Sequence, residues 1–269
     1  MKTLLLSLAG LSAFSALSAQ NLTIYFRQNG QDKANKPIQL AAGKQLPMDK
    51  IEAYTIVEPK EYTEAMDQMI KGELSSALDK FQSVQSTYES FEQLEGNPSS
   101  LAAYYGAYCA VQLGQWDTFS SLYSKASAKR ILDNKVKEHI ALFDIWNDVA
   151  TEKWERLPAK TKRLARGQNS DSMQAELLYL QALSLEQEKE DSEAKEALLN
   201  SIALAKTSYA SIERLSILKL LELLNKNNTL SKKDSAMFEA LGQHYLTFYS
   251  TQPLPTKVQA RLRALGVDL

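Results

Sequence analysis

The sequence predicts a mainly α-helical protein: a superhelix of stacked helix pairs preceded by a small β element. Three observations carry that expectation. A pattern of helix, short break and second helix recurs about every 40 residues. Such self-similarity marks units that bury their apolar faces only by stacking on a neighbour. The chain has only ten glycines and seven prolines in 269 residues, which favours long helices over a strand-rich fold. The β-branched and aromatic runs that read as strands all fall before residue 59.

The β element comes first. Residues 22–26 (Leu-Thr-Ile-Tyr-Phe) are β-branched and aromatic, and Asn29-Gly30 follows as a turn signal. Residues 36–40 form a second short extended candidate, with Ala42-Gly43-Lys44 able to turn the chain. Residues 51–57 make the strongest strand and stop short of Pro59. Three short strands need a packing partner, and the first helix pair is the natural one.

From residue 61 the pattern is helical. Residues 61–71 and 74–88 form the first pair, broken at Gly72. The loop Gly96-Asn97-Pro98-Ser99-Ser100 follows, with Ser99 or Ser100 expected as the N-cap of the next helix. Residues 101–113 with 116–129 form the second pair, and 136–150 with 153–165 the third. Pro158 should delay or bend the second helix of that third pair. After a polar loop over 167–172, residues 173–188 and 192–206 form the fourth. Residues 209–224 and 231–250 form a fifth, joined by Asn225-Lys226-Asn227-Asn228. A last helix over 256–265 ends at Gly266, which suits a left-handed cap. The break residues Gly72, Gly114, Glu152 and Lys189 lie 42, 38 and 37 residues apart.

Residues 1–19 have an export-signal layout. Lys2 precedes an uncharged run of apolar and small residues, and Ala16, Ser18 and Ala19 precede Gln20. The other reading is an uncleaved membrane anchor. With the signal removed the formal charge moves from -1 to -2, so no global field draws in nucleic acid. The expected plan is a signal at 1–19, a β segment at 20–58 and a helical repeat domain at 59–269, in a periplasmic or secreted protein. No membrane insertion is expected once the signal is gone. Cys109 stands alone in a packed helical run with no basic neighbour within a turn, so it reads as a buried small hydrophobe.

The repeats resemble the tetratricopeptide family, whose unit is a helix-turn-helix of about 34 residues. Ala65, Gly72, Ala77, Phe81 and Val84 fit one repeat. Ala107, Gly114, Trp116, Tyr123 and Ala126 fit a second, with Phe119 where a small residue is usual. Ala182, Ala194, Leu198 and Ser201 fit a fourth. The third departs, with Ile145, Leu157 and Pro158 replacing small residues. The likeness covers roughly residues 60–205. A β segment before such repeats is also similar to exported bacterial repeat proteins. The resemblance implies that the first helix of each pair lines a concave face.

Aligning the copies on their break residues puts Tyr62, Tyr104, Leu142 and Tyr179 at one outward position of the first helix, ten residues before the break. Met66, Tyr108, Trp146 and Leu183 lie one turn later. Aromatic side chains offer apolar area with a polar tip, which suits peptide recognition. The partner-binding candidates are therefore Tyr62, Tyr104, Tyr108, Trp146 and Tyr179, with Gln112 and Glu176 able to hydrogen-bond a bound backbone. The same stripe also reads as inter-repeat core, because core positions recur at helical spacing too.

Catalytic and cofactor signals are missing. His139 and His244 sit in different repeats without a carboxylate or cysteine at ligand spacing. No phosphate loop, dinucleotide fingerprint or nucleophile elbow occurs. The sequence points to a non-catalytic exported scaffold that binds a protein or peptide, with no cofactor or metal. One alternative is a self-assembling structural subunit of an envelope assembly, using the leucine-rich 209–224 helix for a homo-oligomer unless the last helix covers it. A less favoured alternative is a cell-wall-active enzyme, which would need two carboxylates converging in a cleft.

Overall fold

The structure is a computed structural model that describes residues 21–28, 37–41, 44, 51–126, 129–167, 170–205, 210–227, 229–250 and 252–269. The expected signal at 1–19, the Asn29-Gly30 turn, Ala42-Gly43 and Asn228 lie outside the described residues.

Strands β1 (Leu22–Gln28), β2 (Ile38–Leu40) and β3 (Ile51–Ile56) form an antiparallel sheet in the order β2-β1-β3. Leu22 pairs with Leu40, and Ile24 lies between Ile38 and Ile56. Leu22, Ile24 and Leu40 are buried, so one face of the sheet joins the main core. The anchor is Tyr54 on β3, whose hydroxyl donates to the Glu95 carbonyl at 3.2 Å and accepts from the Glu95 N–H at 2.9 Å. Glu95 lies between the first and second helix pairs.

Five helix pairs follow: α1 (Lys60–Ile70) with α2 (Leu74–Thr87), α3 (Pro98–Leu113) with α4 (Trp116–Lys125), α5 (Asn134–Ala150) with α6 (Leu157–Ala165), α7 (Asp171–Gln187) with α8 (Asp191–Ala205), and α9 (Ala210–Asn225) with α10 (Lys232–Phe248). Helix α11 (Thr256–Ala264) closes the described chain. The fold is mainly α with a small N-terminal β element. Among the described residues no helix is long and apolar enough to cross a membrane.

The four break residues share one conformation. Gly72, Gly114, Glu152 and Lys189 all have positive φ, at 80°, 68°, 55° and 64°. At each, the next N–H reaches back past the turn: Glu73 to the Gln68 carbonyl at 2.9 Å, Gln115 to Ala110 at 2.9 Å, Lys153 to Asp148 at 2.8 Å and Glu190 to Leu185 at 2.9 Å. These bonds close a left-handed cap that satisfies carbonyls the helix end would otherwise orphan. The periodicity seen in sequence is thus a periodic backbone reversal.

Local starts and stops differ from expectation in two places. Helix α3 is capped by Asn97, whose side chain accepts from the Ser100 N–H at 2.8 Å, not by Ser99 or Ser100. Pro98 explains the shift: it lacks an N–H and its fixed φ suits the first helical position. Ser99 donates instead to the Gln85 carbonyl at 3.0 Å. Helix α4 ends at Lys125 rather than 129, because Ala126 is extended (φ -76°, ψ 95°). In the third pair a 3-10 turn (Trp154–Arg156) precedes α6, which starts only at Leu157 with Pro158 in its first turn.

The pairs bury one continuous core. Helix α3 presents Ala102, Ala103, Gly106, Ala107 and Ala110, all buried. A Cβ at Gly106 would stand 3.0 Å from Leu122 and 3.2 Å from Phe81, so the small residue lets α2 and α4 approach closely. Full burial of a side chain such as Phe81, Phe119 or Phe143 stabilises by about 2 kcal/mol each. At the far end, Val258 and Leu262 of α11 are buried against α9 and α10. Arg261 donates to the Asn227 carbonyl at 2.7 Å. Leu220, Leu221, Leu223 and Leu224 of α9 are buried, while Leu215 and Leu218 are half-buried.

Candidate partner-binding surface

Successive first helices place the predicted aromatic stripe, and the stack brings most of it together. Tyr104 on α3 and His139 Nδ1 on α5 are 2.8 Å apart, and His139 Nε2 lies 2.6 Å from Glu176 Oε2 on α7. The consistent pattern has the Tyr104 hydroxyl donating to Nδ1 and the Nε2–H donating to the carboxylate. The Trp146 indole N–H donates to the other Glu176 oxygen at 2.5 Å. Trp146 and Tyr179 rings lie 5.7 Å apart. Burial, reinforced by the Glu176 charge, pushes the Tyr104 hydroxyl far above its ordinary range, so it remains a donor.

This network continues to α9. Tyr108 bonds Ser211, and the Arg214 guanidinium donates to the Gln112 carbonyl at 2.8 Å and to its side-chain oxygen at 3.2 Å. The inner helices of the second and fifth pairs therefore touch, and the stack closes over the middle of its inner face. Tyr104, Gln112, Trp146, Glu176 and Tyr179 are buried there, and Tyr108 is half-buried. The core reading accounts for their burial, which leaves little of these side chains for a partner.

Tyr62 is placed differently. It packs edge-on against Phe81 and Tyr105, with ring centroids 6.0 and 6.3 Å apart. Tyr62 is as buried as Tyr104, but it lines an open groove of about 520 Å³ where α1, α3 and α5 begin. Met66, Leu101, Tyr105, Leu132 and Val136 supply the apolar lining. Glu58, Asp67 and Asp133 add three carboxylates, and the described lining includes no lysine or arginine. A smaller hollow beside it, under β3, shares Tyr62, Leu101 and Leu132. Leu132 is 62% exposed, a large solvent-facing area for a leucine beside other apolar groups. Burial, then the nearby Tyr105, Glu58 and Asp133, hold the Tyr62 hydroxyl above its ordinary range.

Sequence reasoning found Tyr62 and Met66 in this groove and missed Leu101, Tyr105, Leu132 and Val136. Leu132 follows buried Ile131 and directly precedes the polar Asp133-Asn134-Lys135 at the start of α5, which gave no signal that it would be exposed. The pairing of His139 with Glu176 had none, since the partners come from different repeats. No family model matches the chain, and no curated protein matches it. The likeness to tetratricopeptide repeats rests on the residues themselves.

Proposed function

We propose that this chain is an exported, non-catalytic scaffold of the tetratricopeptide type that holds a peptide segment of another protein. The groove across the starts of α1, α3 and α5 is where it does so. One observation carries the reading: exposed Leu132 and half-buried Met66, Leu101 and Tyr105 share an open groove with three carboxylates and, among the described residues, no basic side chain in its lining. Apolar anchors inside a charged rim are how peptide-binding surfaces combine affinity with orientation. The signal-like layout of residues 1–19 supports an exported protein.

The test is a crosslinking pull-down of the tagged chain from its native envelope, with Met66→Asp plus Leu132→Asp as the comparison. Leu132 is exposed and Met66 is half-buried against the core, so helical circular dichroism and the single variant Leu132→Asp check that the fold is kept. A reproducible second protein, lost in the folded variant, supports the scaffold. Recovery of the chain alone overturns it in favour of the self-assembling subunit.

A further inference from the structure

A second groove lies on the opposite stretch of the stack, between α6 and α7. Its volume is about 680 Å³. Its cause is a mismatch of lengths. Helix α6 has nine residues and the corresponding α4 ten, against 14 in α2, 15 in α8 and 17 in α10. Helix α7 has 17, so α6 spans only about half of it at 1.5 Å per residue. Helix α7 contributes Gln174, Leu177, Leu178, Gln181, Leu185 and Glu188 to the groove. These positions recur at three- and four-residue intervals, one continuous face of about four turns. Helix α6 supplies the facing wall through Pro158, Lys162, Ala165 and Arg166. Two antiparallel helices with a leucine floor between them form the seat that a third helix fills in a bundle.

The charge of the wall selects the occupant. The sequence of α6 holds Lys160, Lys162 and Arg163 with no acidic residue, and Arg166 follows it. Lys160 is engaged with Asp148. Among the described residues Lys162 and Arg166 have no ion pair, and both are exposed at the groove. Among the described lining residues the single acid is Glu188, which stands at the other end and accepts from Ser184 at 3.4 Å. We infer that the α6–α7 groove docks an acidic amphipathic helix of a second protein, its leucine-like stripe on half-buried Leu178 and Leu185 above buried Leu177 and its carboxylates toward Lys162 and Arg166. This is helix-in-groove recognition, and it is separate from the acidic groove at the start of the stack.

The full chain is titrated by fluorescence anisotropy against a labelled synthetic helix of about four turns, apolar at i, i+3, i+4 and i+7 with glutamates flanking. A control peptide carries lysines in place of the glutamates. The acidic peptide should bind, more weakly as salt rises, and the lysine peptide should not. Lys162→Glu with Arg166→Glu should weaken the acidic peptide by about tenfold or more and admit the lysine peptide. Gln181→Trp, at an exposed position on the floor, should block both. Far-ultraviolet circular dichroism checks that each variant is folded, and should the tryptophan variant misfold, the charge reversal decides alone. Equal binding of the two peptides, or binding indifferent to the charge reversal, overturns the inference. So does a dimer in light scattering that Gln181→Trp dissolves, which gives the groove to a second copy. Competition by anionic vesicles, with the peptides silent, overturns it as well.

Discussion

The guanidinium of Arg214 donates to the main-chain carbonyl of Gln112 at 2.8 Å, joining α9 to α3 across 102 residues of chain. Both residues are buried. A buried charge is tolerated only when its donors are satisfied. Here the acceptors are the Gln112 carbonyl and its side-chain oxygen. The bond also fixes which part of the inner face stays open, because it shuts the middle and leaves the end bordered by Tyr62 and Leu132.

Arg214→Ala should destabilise the chain by about 2–4 kcal/mol, since it strands a buried carbonyl and opens the α3–α9 contact. Gln112→Leu should lose no more than about 1 kcal/mol. It leaves the main-chain acceptor in place and removes a buried Nε2 that has no hydrogen-bond partner. Urea midpoints for the two variants provide the check. Equal losses would show that the Gln112 side chain, not its carbonyl, carries the connection.

Glu152→Gly and Lys189→Gly should each stabilise. Both residues are exposed and hold positive φ at 55° and 64°, a region where a side chain meets its own carbonyl and glycine does not. The gain is roughly 0.5–1 kcal/mol per site, offset in part by the larger freedom of glycine in the unfolded chain. The two sites are in different repeats, so the effects should add. A thermal melt should show each as a rise of about 2–4 °C per kcal/mol for a chain of this size. Unchanged or lowered midpoints would mean that the side chains contribute more than the strain they impose.

Two neighbouring glutamates should titrate with opposite consequences. Burial pushes the Glu186 carboxyl up, but hydrogen bonds from Lys219 at 2.6 Å and Lys226 at 2.8 Å outweigh it and hold it below its ordinary 4.5. Burial, with the Glu186 charge, raises Glu222 above 4.5 against the pull of Lys219. A depressed carboxyl adds stability that is present above 4.5 and fades as pH falls through the folded value. A raised carboxyl opposes folding while ionised, and that penalty disappears once it is protonated. Glu186→Gln should therefore lower the urea midpoint at neutral pH, and Glu222→Gln should raise it. The Glu186→Gln difference should shrink as pH falls below 4.5, and the Glu222→Gln difference should shrink earlier, as pH falls through its raised folded value toward 4.5. A Glu222→Gln variant less stable than the parent at neutral pH would reverse the assignment.

The helix pairs were legible because their breaks are chemical punctuation: Gly72 and Gly114 are glycines, and Glu152 and Lys189 sit in polar runs at the same spacing. Cys109 was legible for a similar reason, and burial pushes its thiol up to about 12. Asn97 was overlooked as a cap although Pro98 beside it marks a first helical position. What sequence could not show is how far the stack curls. Nothing local in Gln112 or Arg214 reveals that they meet, and the same curl buries Tyr104, Trp146 and Tyr179. A stripe of aromatics at helical spacing looks alike whether it faces solvent or another pair. Tyr62 is buried as well, but it lines an open groove near the end of the stack, and Tyr108 stays half-buried.

An open solenoid gains stability one neighbour at a time and can fray from either end. The α3–α9 contact changes that kinetic picture. Nucleation can still begin in any pair, yet the last inner bond waits for a loop of 102 residues to close, which raises contact order and slows completion. Once it has formed, pairs two to five are cross-braced, so they should exchange their amide protons as a single cooperative block. The first pair and β1–β3 lie outside that brace. The Tyr62 groove therefore spans the boundary between that block and the first pair, whose protection rests on its own packing against α3.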